Sequence, residues 1–104
     1  MLDHFKELMA PRGVIRSRAM FGGHGIYCDD LFVAIVVDDR LYLKVDGLTQ
    51  ATFAAAGCAP FVYQGKGKPV AMSYWSVPDE ALESARAMRP WIDMAKAAAA
   101  RKPR

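Results

Sequence analysis

The chain reads as an α+β two-layer sandwich, an antiparallel β-sheet of about six strands with its helices on one face, in the order helix, four strands, helix, two strands, helix. Three observations predict it. Apolar residues at both ends of the chain follow a helical period, β-branched and aromatic residues dominate residues 14–45, and the breaks between those extended runs are only a few residues long. Short breaks favour antiparallel neighbours, because a parallel return needs a crossover of about a dozen residues or more.

Leu2, Phe5, Leu8 and Met9 share one helical face, and Pro11 followed by Gly13 ends that first helix. The period then changes to that of strands, predicted at about 14–20, 25–28, 31–37 and 40–45. "LFVAIVV" is apolar on both faces and is the best-buried strand, whereas "RLYLKV" alternates, with Leu41, Leu43 and Val45 opposed to Arg40, Tyr42 and Lys44. One face of the sheet is thus covered and the other partly wet. Asp46 is placed to cap a helix over 48–56, which Gly57 leaves in a left-handed conformation.

Two further strands, about 61–64 and 70–76, flank a loop whose glycines and proline forbid regular structure. Pro78 suits the first position of the last helix, with Asp79 and Glu80 complementing the positive end of its dipole. Ala81, Leu82, Ala85, Met88, Trp91, Ile92 and Ala95 continue its apolar face, and Pro90 is expected to kink or split it.

At 104 residues the chain makes one domain, expected over residues 1–98 with a basic tail at 99–104. Such a domain buries roughly 60 to 70% of the surface its unfolded form exposes, so it needs no staple. Cys28 and Cys58 lack the spacing of paired zinc ligands or of a disulfide framework, and read as free thiols in a reducing cytoplasm. The acidic residues of "MLDHFKELMAPRG" exclude a secretory signal, and the longest apolar run is too short to span a bilayer; no membrane partner is expected. Of the net charge of +3, Arg101, Lys102 and Arg104 supply three, so the body is neutral and only the tail basic. Such a tail reads as a solvated, frayed end.

"RAMFGGHGIY" (18–27) invites three chemical readings. Gly23-His24-Gly25 begins like a dinucleotide-binding loop, but the third glycine is missing and the segment leads into a strand, where that loop must open a helix. "GKGKP" fails likewise, since Pro69 stands where a magnesium-holding hydroxyl belongs. A thiol enzyme would use Cys28 with His24 as base, yet no third group orients the imidazole, and a buried small apolar cysteine is the plainer account. Asp3, His4 and Glu7 make only half a metal site, and Asp29-Asp30 and Asp38-Asp39 suit tight turns better than acid–base dyads. No catalytic, cofactor or metal residues are therefore assigned. Tyr42, Lys44, Tyr63, Lys66, Lys68, Tyr74 and Trp75 mix aromatic and basic groups near the sheet face read as partly wet, so direct nucleic-acid binding stands as the alternative.

The motif of Met20, Phe21, Gly22, Gly23, Gly25, Ile26 and Tyr27, with "LYLKVD" at 41–46 and "MSYW" at 72–75 followed by Pro78, resembles the amino-terminal domain of the TfoX/Sxy competence regulators. The likeness runs from the first helix to the last. It implies a two-layer α+β domain without known enzymatic activity, a regulatory or interaction module that commonly self-associates. Competence members are thought to assist a cyclic-AMP-dependent transcription factor, and their full-length forms carry a second, helical domain; this chain ends just after the first, so a stand-alone TfoX-like domain is expected. Gly22 and Gly23 then serve a hairpin, Met20 and Phe21 anchor it, and His24 lies at its tip. The expected working mode is protein contact in the cytoplasm, as a homodimer or with a transcription factor. Its surface is expected at a sheet edge or around Lys66, Lys68, Tyr74 and Trp75.

Overall fold

A computed structural model describes residues 2–20, 22–64, 67 and 69–101 of the chain, the side chains of Gln64 and Val70 excepted. Six strands form one antiparallel sheet in the order β1-β2-β3-β4-β6-β5. They are β1 Ile15–Met20, β2 Gly23–Cys28, β3 Leu31–Val37, β4 Arg40–Lys44, β5 Pro60–Gln64 and β6 Pro69–Ser76, with helices α1 Leu2–Met9, α2 Gln50–Ala55 and α3 Ala85–Ala100. This is the α+β architecture that the sequence predicts, with its expected element order.

The first four strands form a meander because their connections are so short. Asp29 and Asp30 both take positive φ (51° and 67°), as do Asp38 and Asp39 (52° and 61°). A two-residue hairpin loop whose central residues both have positive φ matches the right-handed twist of its strands, and aspartate tolerates that region better than most residues with a Cβ. The backbones of these four aspartates therefore shape turns. After β4, α2 carries the chain across one strand position, so β6 comes to lie beside β4 and β5 is left at the edge. Both terminal strands of the second hairpin begin with proline, a residue compatible with a strand start or an edge.

A bulge decides which side chains face which way. Ile26 pairs with Ala34 but Tyr27 pairs with Phe32, leaving Val33 as the extra residue. Side chains alternate along a strand, and an extra residue inverts the alternation beyond it. Val33, Ala34 and Val36 accordingly join the core beneath the helices, together with Phe5, Met9, Leu43, Phe53, Met88 and Ile92. Phe32, Ile35 and Val37 are sent to the opposite face, where they line a groove.

Four local predictions need correction. The second strand starts at Gly23, not 25, so His24 pairs with Ala19 and Val36 inside β2 and is not at a turn tip. Helix α2 is shorter than 48–56: Asp46 Oδ1 instead accepts from the Leu48 amide at 3.0 Å, and Thr49 Oγ1 accepts from the Asp46 amide at 3.0 Å, holding residues 46–49 in a turn. Asp79 and Glu80 open a 3-10 turn, Asp79–Leu82, and not the long helix. Finally, Pro90 does not split the last helix, which runs unbroken through it. The break falls at residues 83–84, where Ser84 takes an extended conformation and caps α3. Met88, Ile92 and Ala95 are buried on either side of Pro90, so packing offsets the missing hydrogen bond.

Ser84 Oγ accepts from the Ala87 amide at 3.0 Å, one of the four donors that a helix start leaves without partners. Ser84→Ala is expected to lower stability by about 1 kcal/mol, read as a shifted urea midpoint with an unchanged slope.

Helix α3 continues to Ala100, and Arg101 forms a two-pronged pair with Asp46, Nε to Oδ2 at 2.8 Å and an Nη to Oδ1 at 3.0 Å. Chiefly through that guanidinium, the Asp46 carboxyl is held at about 2, below its ordinary 3.8. A carboxyl depressed in the folded state stabilises above its unfolded pKa, and that contribution is lost as pH falls through the folded one. Stability is thus expected to drop between about pH 4 and pH 2, with Arg101→Met flattening that part of the urea-midpoint profile.

Candidate functional site

The helices cover only one face of the sheet. On the other, strand alternation and the β3 bulge gather Met20, Phe32, Ile35, Val37, Phe61, Tyr63, Met72 and Tyr74 around an open groove of about 410 Å³, which His24 also borders. Its lining is overwhelmingly carbon and sulfur. Rings make contact across strands: Tyr27 stacks on Phe32 with centroids 5.0 Å apart, Phe32 meets Tyr74 at 5.6 Å, and Tyr42 meets Phe61 at 5.1 Å. Tyr63 keeps 53% of its surface exposed and Met72 38%, so the groove's β5–β6 wall is bare. Burial, with Tyr27 adding to it, pushes the Tyr74 phenol above its usual pKa.

The glycine motif builds this face. Gly22 has φ +74° in the β1–β2 connection, which only glycine adopts without strain. At Gly23 a Cβ would collide with the Val36 carbonyl oxygen of β3. At Gly25 it would stand 2.7 Å from Met20 Cε and 2.8 Å from Phe32 Cε1; the missing side chain is a socket into which Met20 and Phe32 pack. Met20, expected as an anchor of the hairpin, lies in this socket. Phe21, the other expected anchor, lies outside the described residues.

Of the expected interaction residues, Lys66 and Lys68 also lie outside the described residues. The remaining two are separated by the pleat. Tyr74 is on the open face, whereas Trp75 packs against the core beneath the helices, so pairing it with Tyr74 in one patch is corrected. Adjacent strand residues cannot share a face. Phe32, Ile35, Val37 and Phe61 are not singled out by sequence, the two-sided apolarity of β3 being the signal for the first three, and Met72 enters only as part of the "MSYW" motif.

Cys28 is fully buried and its thiol donates to the Arg12 carbonyl at 3.7 Å. Burial raises its pKa, and that of Cys58 likewise, which disfavours the thiolate that a nucleophile needs. Around Cys28 the polar groups are engaged with one another. Lys96 reaches the Arg12 carbonyl at 2.7 Å and Asp29 at 3.2 Å, Asp29 accepts from the Val14 amide at 2.9 Å, and Arg12 pairs with Asp93 at 2.8 Å. This knot ties the entry to β1 onto α3. His4 Nε2 donates to the Leu82 carbonyl at 3.2 Å. Among the described residues no three His, Cys, Asp or Glu side chains come together to hold a metal, and no helix is long and apolar enough to cross a membrane.

A six-stranded antiparallel sheet with helices on one face and an apolar groove on the other is an α+β domain, and comparison with known proteins gives its family. The TfoX N-terminal domain model matches residues 7–99, and the chain belongs to that family. It is 30% identical over 77 residues to the DNA transformation protein TfoX1 of Aliivibrio fischeri, an alignment covering 74% of this chain and 37% of that relative. The chain thus spans little more than a third of that relative's length.

Proposed function

We propose that this chain is a regulatory interaction domain of the TfoX N-terminal type, without enzymatic activity, acting in the cytoplasm on transcription of DNA-transformation genes through protein contacts made by the open sheet face. One observation carries the reading: the groove formed by Phe32, Ile35, Phe61, Met72 and Tyr74 is apolar and, among the described residues, no helix covers it. Exposed apolar surface of this kind marks interaction sites on folded domains. The match to a DNA transformation protein supports the regulatory process.

The test uses Tyr63→Asp and Met72→Asp, which put charge into the groove at exposed positions. Each is expected to abolish activation of DNA-uptake promoters in the source organism while cellular abundance and Tm stay near wild type. Promoter activity that survives both substitutions overturns the reading.

A homodimer is the second reading, favoured by the edge strand β5, where Val62 is 44% exposed beside an open row of backbone groups. Light scattering is expected to give twice the monomer mass, reduced to the monomer by Val62→Lys. A monomer at high protein concentration removes this reading.

A further inference from the structure

The charges of the sheet are distributed one-sidedly. Strands β1 to β6 contain Arg16, Arg18, Arg40 and Lys44 but no acidic residue, and all 11 Asp and Glu of the chain lie in helices, turns or loops. All four cations fall on the open face. Arg16 and Arg18 alternate with Ile15, which packs on the core, and Arg40 and Lys44 alternate with the buried Leu41 and Leu43. β1 and β4 are three strand positions apart, about 14 Å at the usual spacing of about 4.8 Å. Between these two basic rows lies the aromatic strip of Tyr27 and Phe32 together with Ile35.

We propose that this face docks an acidic segment of a partner protein, whose bulky apolar side chains enter the Phe32–Ile35–Met72–Tyr74 groove while its carboxylates meet the Arg16–Arg18 and Arg40–Lys44 rows. The inference rests on the protein-contact reading above and adds the chemistry of the partner. Charge complementarity selects an anionic ligand, and the groove selects among anions. A nucleobase placed in it would lose water from its polar edge against a mostly apolar lining with only a few polar groups such as the Tyr63 and Tyr74 hydroxyls, a costly exchange; leucine or phenylalanine side chains lose nothing there. A second copy docking face to face would bring like-charged rows together. Lys44, which donates to Ser73 Oγ at 3.0 Å and lies 5.2 Å from the Tyr74 ring centre, and Arg16, paired with Asp30, are held in place by neighbours. Arg18 and Arg40 make no ion pair among the described residues, and they are the positions to reverse.

The experiment is an NMR titration of the protein with three probes: a synthetic peptide of Glu interspersed with Leu and Phe, the same peptide with every Glu replaced by Lys, and an oligothymidine single strand. The Glu peptide is expected to shift amides of the strands and leave α1 and α3 unmoved, with affinity falling as salt rises. The double substitution Arg18→Glu and Arg40→Glu, at exposed positions, is expected to weaken it by about tenfold or more and to strengthen the Lys peptide. No binding of the Glu peptide, equal binding of both peptides, tighter binding of the oligonucleotide, or a second copy occupying the face overturns the proposal. If the Lys peptide binds the groove as well as the Glu peptide, the acidic partner falls while protein docking stands. If promoter activity survives Tyr63→Asp and Met72→Asp, the docking reading itself falls.

Discussion

Replacing Gly23 by alanine is expected to cost about 3 kcal/mol, the largest loss among the motif glycines. The added Cβ would fall well inside contact distance of the Val36 carbonyl oxygen, and that oxygen cannot retreat. Val36 belongs to β3, which is paired on one side with β2 and on the other with β4, and its side chain is buried beneath the helices. Relief therefore requires two ladders to shift. Gly25→Ala meets Met20 Cε and Phe32 Cε1, the ends of side chains, of which the methionine bends easily; about 1–2 kcal/mol is expected. Gly22→Ala meets nothing within 4 Å and carries only the strain of φ +74°, about 1 kcal/mol. For a domain of this size Gly23→Ala should lower Tm by about 12 °C or more. If thermal melts rank Gly22→Ala equal to or worse than Gly23→Ala, close strand approach is not what reserves position 23 for glycine.

Phe53→Ala is expected to be equally severe, at about 3–5 kcal/mol. Phe53 is fully buried, stands edge-on to Trp91 with ring centres 5.0 Å apart, and is the one buried residue of α2. A helix of six residues has no independent stability, so α2 itself is held to the core by this ring, while Val45, Cys58 and the Asp46–Arg101 pair secure the ends of the connection. Truncation should leave a cavity against Trp91 and free the segment. Hydrogen exchange is the discriminating measurement: amides of residues 50–58 should lose protection before those of β3. Uniform loss across the domain would mean that α2 is anchored by something other than Phe53.

The fold was legible where neighbours in sequence are neighbours in space. Two-aspartate breaks announced tight turns because so few backbone conformations reverse a strand in two residues, and the apolar spacing of Phe5, Leu8 and Met9 announced a helix with one buried face. Helix boundaries were less legible. Pro90 is a strong local signal for a break, yet Met88 and Ile92 on either side of it are locked into the core, while the weaker polar signal of Ser84 set the actual helix start. The candidate site was legible only in fragments. Tyr63 and Tyr74 stood out as aromatic, but Trp75 was grouped with its sequence neighbour although the pleat turns it to the other side.

What the sequence determined by itself is the local menu: an antiparallel α+β domain of this family, with glycine and aspartate supplying its reversals. Those follow from backbone sterics and periodicity, which act over a few residues. Tertiary structure alone decided that β6 inserts between β4 and β5, that the Val33 bulge turns Ile35 and Val37 outward, and that the strand cations flank a bare aromatic groove. These depend on which strand lies beside which and in what register. Such pairings are chosen by packing the whole core at once, and no short stretch of sequence contains that choice.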